Sequence, residues 1–334
     1  MNYSVPFSFL SGFIQSSARR SRRPLLVALI LAASAFQPFS PSAFSAPHPF
    51  VCADYTGGKV LVVSAAGKIE WEYPAPNSND LWVLPNGNLL FTTGTGVKEI
   101  ARAANPGETD RVVFNYDSPA NSEVYACQRL PNGDTFVGEC TTGRLLEIAP
   151  DGRITHQVQL PLPPGKTTGG HTFMRNARRL PDGGYLVAHY GLNVVREYDH
   201  DGKLRREIPA AGGPHSVVRL PNGNTLIACA DGKGGPQVFE ITTDDRVVWR
   251  VTNDDMPAGV ALKFLCGLQR LPNGNTVLTN WLGHNQLGKA PVVIEVTPDK
   301  KVLWTYANHA EIKTASSIQL LDIPGDATHG EIWH

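Results

Sequence analysis

The tetrapeptide Leu-Pro-Asn-Gly begins at Leu84, Leu130, Leu220 and Leu271, and recurs as Leu-Pro-Asp-Gly at Leu180. Successive copies are 46, 50, 40 and 51 residues apart. A period of roughly 40 to 50 residues with strand-like flanks marks a β-propeller, one repeat per four-stranded blade. The proline presets φ for a type I turn, and the final glycine accepts the positive φ that follows. The repeat therefore constrains the fold strongly and leaves the chemistry open.

Each repeat reads as four strands. The innermost precedes the turn (124–130, 215–220, 264–271) and the second follows it (134–139, 184–189, 224–229, 275–280). The outermost is aromatic, carrying Trp71 and Tyr73, Phe114 and Tyr116, Trp249, and Trp304 and Tyr306. Five turns suggest five blades, but the ends raise the number to six. Residues 50–73 contain a second, third and fourth strand without a first. Residues 316–322 (SSIQLLD) match the first strand at 266–271 (CGLQRL). The expectation is an all-β, six-bladed β-propeller of four-stranded blades, with the C-terminal strand completing the N-terminal blade, so that no open sheet edge remains. It spans 47–322 and leaves 323–334 as a tail.

Arg19, Arg20, Arg22 and Arg23 precede an apolar run (PLLVALILAASAF). A basic segment before a short hydrophobic one reads as an export signal. Residues 1–46 are therefore a signal peptide and linker, and the mature protein is expected to be periplasmic or secreted. A membrane would be met only through an uncleaved signal anchor. The 30 basic and 30 acidic side chains cancel, which leaves no electrostatic footprint for nucleic acid. A monomer is expected. The five cysteines, Cys52, Cys127, Cys140, Cys229 and Cys266, are an odd number with no CxxC spacing. One at least stays free or pairs between chains.

Strand direction separates the two faces of the ring. The start of each first strand and the end of each second strand share the face opposite the turns. Six residues after each turn glycine stand Thr93, Glu139, His189, Cys229 and Asn280, with Asp54 equivalent in the first blade. Five residues before each turn leucine stand Asn79, Tyr125, Arg175, His215 and Cys266, with Ser316 equivalent. Both sets are expected to ring the channel mouth, with Glu123, His171 and His309 just outside. The long connections, such as 252–262 and 281–290, lie on this same face, where function concentrates. The turn face, built of short tetrapeptides, is expected to offer little.

Two kinds of chemistry suit these residues. Asp54, Glu139, His189 and Asn280 compose an oxygen-rich set for a divalent metal, the carboxylates and amide suiting a hard cation such as calcium and the histidine favouring zinc or another transition metal. His171, His189, His215 and Arg175 suit an anionic group, since arginine presents a fork to sulfate, phosphate or carboxylate and neutral histidine acts as base or nucleophile. Tyr125, Glu123, His171 and His309 complete the ligand-binding set.

The segment 215–227 (HSVVRLPNGNTLI), with GKIEWEY at 67–73 and DRVVW at 245–249, resembles the repeats of bacterial arylsulfotransferase-like propellers over about residues 50–322. That resemblance implies an exported six-bladed propeller in which a channel histidine takes up a sulfuryl group and further His, Asn and Arg residues hold it. His215 matches the histidine that opens an inner strand; His189, His171, Arg175 and Asn280 follow by ring position. Asp54-Tyr55-Thr56-Gly57 is also similar to quinoprotein-like repeats, which implies the superfamily and not pyrroloquinoline quinone itself. The reading is an exported binding propeller with its site at the mouth opposite the turns. The alternatives are an arylsulfotransferase-like or metal-assisted enzyme using His215, His189 and Arg175, and a protein-interaction scaffold using the loops at 252–262 and 281–290.

Overall fold

A computed structural model describes residues 47–105 and 107–334; the export-signal reading lies outside the described residues. In chain order the strands are β1 Phe50–Asp54, β2 Lys59–Val63, β3 Ile69–Pro74, β4 Leu81–Val83, β5 Leu89–Thr92, β6 Gly96–Ala101, β7 Arg111–Asp117 and β8 Val124–Arg129. There follow β9 Thr135–Glu139, β10 Arg144–Ile148, β11 Ile154–Gln159, β12 Asn176–Arg179, β13 Tyr185–His189, β14 Val194–Tyr198, β15 Leu204–Pro209 and β16 Pro214–Arg219. The last are β17 Thr225–Cys229, β18 Gln237–Ile241, β19 Val247–Val251, β20 Leu265–Arg270, β21 Thr276–Asn280, β22 Val293–Val296, β23 Val302–Tyr306 and β24 Ala315–Leu320. They form six antiparallel four-stranded sheets. Five are sequential; the first has the order β24-β1-β2-β3, with Phe50 opposite Leu320 and Cys52 opposite Ile318. The protein is a six-bladed β-propeller closed by its C-terminal strand.

The tetrapeptide turns are held in three ways. The glycine amide donates to the leucine carbonyl at 2.8–3.0 Å in all five copies. The glycines have φ between 81° and 89°, a left-handed conformation that costs glycine little. The Asn or Asp in third place accepts from the amide two residues on, as Asn132 does from Asp134 at 3.0 Å, which explains why an Asx residue stands there.

Six buried apolar clusters fill the six interfaces between blades. An ionic rule runs around the ring with them. The arginine just before a turn pairs with a glutamate on the third strand of the preceding blade: Arg129 with Glu99, Arg179 with Glu147, Arg219 with Glu197 and Arg270 with Glu240. Two junctions depart from it. Between blades 1 and 2 both members are valine, Val62 and Val83, packed in one cluster. Between blades 6 and 1 the arginine position is Leu320, and Glu295 is met instead by His48 at 3.4 Å and by the Asn275 amide at 2.8 Å. His48 also reaches Asp322 at 2.7 Å, so it fastens the start of the propeller to its closing strand.

All five cysteines are buried and free. Segment 323–334 folds back across the turn face. Ala327 and Ile332 enter the cluster between blades 2 and 3. The Arg270 amide donates to the Trp333 carbonyl at 2.8 Å. The His334 ring packs against Trp82 at a tilt of 47°, with ring centroids 3.9 Å apart, and its main-chain oxygen accepts from Arg178 Nε at 2.8 Å.

Candidate functional site

The mouth residues owe their placement to a repeated backbone irregularity. In blade 3, Val124 lies opposite Glu139 and Ala126 opposite Gly138, so Tyr125 is the extra residue of a β-bulge. His215 holds the same place in blade 5, between Pro214 and Ser216. In blade 6, Cys266 and Gly267 together face Thr279 alone. In blade 1 the register shifts across Ser316. A bulge re-aims the side chain of its extra residue; here it lets residues five before the turn leave the blade interior and gather around the axis. Arg175 reaches the same level one residue before β12, its amide donating to the Ala188 carbonyl at 3.0 Å.

Arg175 sits at the centre of the group. Its guanidinium carbon lies 4.6 Å from the centroid of the Tyr125 ring and 5.0 Å from that of Tyr190. The residue is 8% exposed, and its Nε is buried without a hydrogen-bond partner. Among the described residues no carboxylate pairs with it. Two acids bonded to its neighbours have other partners: Glu123 receives His171 Nδ1 at 2.9 Å, and Asp231 accepts the Tyr190 hydroxyl at 2.7 Å. Two cation–π contacts of roughly 0.5–2 kcal/mol each are favourable, but a planar fork of donors still faces the mouth unpaired.

His215 completes the floor. Its Nε2 is 3.6 Å from Cys266 Sγ. Burial, with the positive charge of Arg175 next, drives its pKa down to about 3. Both members of the pair are neutral, since burial also pushes the Cys266 thiol up. Burial likewise raises the Tyr125 and Tyr190 hydroxyls, opposed by Arg175 in each case. Half-buried aromatic rings form the wall above: Phe264 lies 5.7 Å from His215, 6.3 Å from Tyr190 and 5.2 Å from Trp281, and Trp281 lies 6.1 Å from Tyr55. Exposed His284 caps this wall, 4.9 Å from Trp281. A guanidinium beside a cluster of aromatic rings can hold an anion attached to a flat apolar body.

The second set is not brought together. Glu139, Asn280 and Asp54 lie opposite Val124, Leu265 and Ala315, the last residues before the bulges, and not opposite the bulged residues themselves. Asp54, Glu139, His189 and Asn280 are each fully buried in a different blade. Asp54 accepts from the amides of Gly57, Lys313 and Thr314. Glu139 takes the Tyr116 hydroxyl at 2.6 Å, the Thr142 hydroxyl at 2.6 Å and Arg144. Burial pushes its carboxyl up, but hydrogen bonds from Ser118, Thr142, Tyr116 and Arg144 together hold it below the usual range. His189 Nδ1 donates to the Phe173 carbonyl at 2.9 Å and Nε2 accepts the Tyr198 hydroxyl at 2.9 Å; burial lowers its pKa to about 4. Asn280 bonds the amides of Lys263 and Phe264 and the carbonyls of Ala261 and Pro291. These side chains tie loops to strands. Among the described residues no three His, Cys, Asp or Glu side chains are grouped so as to hold a metal ion.

Of the residues proposed from sequence, His215, Arg175, Tyr125, Glu123 and His171 belong to the mouth. His189 is separated from it by its own packing. His309 lies in the connection before β24, where its Nδ1 is buried without a partner and its ring touches no aromatic of the mouth. Sequence reasoning did not count Tyr190, Asp231 or Phe264 among the site residues, reading Phe264 as the start of an inner strand that begins at Leu265, and it assigned the loop 281–290 with Trp281 to a protein partner. It also undervalued the turn face, where a cavity of about 780 Å³ lies beside the tail. Near the axis a cavity of about 10 Å³ is lined by His215, Asp80, Arg178 and His334.

No family model and no curated protein matches the chain. Among solved structures it is similar to a protein of unknown function from Bacteroides caccae, 27% identical, with a TM-score of 0.72 over 83% of this chain and 99% of that one. It is also similar to a chain of a nidogen/laminin complex, 13% identical, TM-score 0.58, over 81% of this chain and 97% of that one. A third similarity is to a catalytically inactive histidine-to-alanine virginiamycin B lyase from Staphylococcus aureus with quinupristin, 17% identical, TM-score 0.52, over 80% of this chain and 86% of that one. These likenesses support the β-propeller fold.

Proposed function

We propose that this chain is an exported binding propeller that takes a small organic anion at the mouth opposite the Leu-Pro-Asn-Gly turns. The observation that carries the reading is Arg175, held between Tyr125 and Tyr190 with its Nε unpaired and no carboxylate of its own. A buried charge without a partner is costly, and an incoming carboxylate, sulfate or phosphate supplies the partner. The aromatic wall of Phe264, Trp281 and Tyr55 favours an anion carrying a ring. The export part of the reading rests on the arginine-rich start and the apolar run that follows it.

The test is calorimetric titration and thermal melting with benzoate, 4-nitrophenyl sulfate and phenyl phosphate. At least one should bind saturably and raise the melting temperature by mass action. Arg175→Met should abolish that shift. An equal shift in the variant, or no shift from any of the three, would refute the reading.

A second, enzymatic reading is favoured by the neutral His215 ring beside Arg175. In arylsulfotransferase-like chemistry its nitrogen lone pair would form the new S–N bond as the aryl S–O bond breaks and the phenolate leaves. His215→Ala should then abolish release of 4-nitrophenolate from 4-nitrophenyl sulfate without lowering the melting temperature; unchanged release in the variant would exclude this role.

A further inference from the structure

The turn-face cavity is independent of the mouth. At about 780 Å³ it falls in the size range of sites for small organic molecules. Much of its wall is apolar, the Leu-Pro pairs at Leu130, Leu180 and Leu220 from three successive blades with Ile332 and Trp333 from the folded-back tail, and Gln128, Asn132, Thr328 and His329 add polar groups. The charges beneath are already matched, Arg178 with Asp80, Arg179 with Glu147 and Arg219 with Glu197. A charged ligand would have to break one of these pairs and leave its partner buried alone; an uncharged one would not.

Two buried polar atoms of the lining residues lack a hydrogen-bond partner, Arg219 Nε, whose guanidinium is already paired with Glu197, and His334 Nε2. His334 is 2% exposed and lines the cavity, and its Nε2 makes no hydrogen bond. Burial, and then the nearby Arg178 charge, hold the imidazole well below its usual pKa, so it is neutral. An unsatisfied buried nitrogen is a cost that a ligand group can remove. We propose that this cavity is a second binding site, for an uncharged small molecule with an apolar body and one hydrogen-bonding group that reaches His334 Nε2.

The probe is 1-naphthol, titrated calorimetrically into the full chain. Saturable 1:1 binding is expected, with 1-naphthoate at least tenfold weaker at this site. Leu180→Trp, which fills the cavity, should weaken 1-naphthol at least tenfold, and His334→Ala several-fold. Trp333→Ala removes a wall contributed from outside the blades and should weaken binding even if Leu180→Trp fails to fold. Arg175→Met should leave the affinity unchanged. Absence of saturable binding, equal affinity in Leu180→Trp or Trp333→Ala, or loss of binding in Arg175→Met would each overturn the proposal.

Discussion

Replacing Arg129 and Glu99 singly and together tests whether the blades are matched as pairs. Arg129 Nη2 lies 2.5 Å from the Glu99 carboxylate, with side chains 14% and 4% exposed. Removing one partner from so buried a pair costs about 3 kcal/mol, because the other charge is stranded. Glu99 would retain only the Asn88 amide, and Arg129 only the Gly133 carbonyl and the Phe114 ring. At roughly 2 °C per kcal/mol for a domain of this size, Arg129→Val and Glu99→Val should each lower the melting temperature by about 6 °C. The double variant reproduces the valine pair that the ring already uses at Val62 and Val83. It should fall within about 1 kcal/mol of the parent, since an apolar pair can replace a buried ion pair at little cost. Urea unfolding followed by tryptophan fluorescence, combined as a double-mutant cycle, reads the coupling. A double variant that loses the sum of the two single losses would refute the pairing argument.

Three further outcomes follow from the geometry. Asp80→Ala strands the Arg178 guanidinium, now held at 2.6 and 3.0 Å, and should cost about 3–5 kcal/mol in the same urea assay. His48 has a raised pKa, chiefly through Glu295; its contribution is complete below the ordinary histidine value and is lost as pH rises through the raised one. His48→Gln should therefore destabilise the protein more at pH 5 than at pH 9, as read by melting temperature. His189 titrates the other way: folded near pH 4 against about 6.5 unfolded, its contribution is present above pH 6.5 and is lost as pH falls toward 4. His189→Gln should flatten that part of the pH–stability curve.

The fold was legible because the turn residues do physical work that any sequence must express. Proline, Asx and glycine at fixed places marked five blades, and CGLQRL against SSIQLLD supplied the sixth and the closure; Gln269 and Gln319 even perform the same task, accepting from the Leu320 and Val83 amides of the next blade at 2.8 Å each. Counting back from the turn reached Tyr125 and His215 because the bulge recurs at one distance, and Arg175 because the main chain ahead of β12 holds the same level without one. The same count failed for Asp54, Glu139, His189 and Asn280. Position along a strand fixes height in the ring, but only the innermost strand faces the axis, so these four turned into the blade interfaces. The roles of Phe264, Trp281 and Tyr190 at the mouth were hidden because loop residues follow no repeat. The cavity beside Trp333 was hidden because nothing local in 323–334 says where that segment packs.

A crystal soaked in 4-bromobenzoate would locate a bound organic anion through the anomalous signal of bromine. The anion-binding reading requires the carboxylate within hydrogen-bond distance of Arg175, with the ring against Phe264 or Trp281. Bromine found only beside Trp333, or an Arg175 fork left unpaired in a soaked crystal, would contradict it.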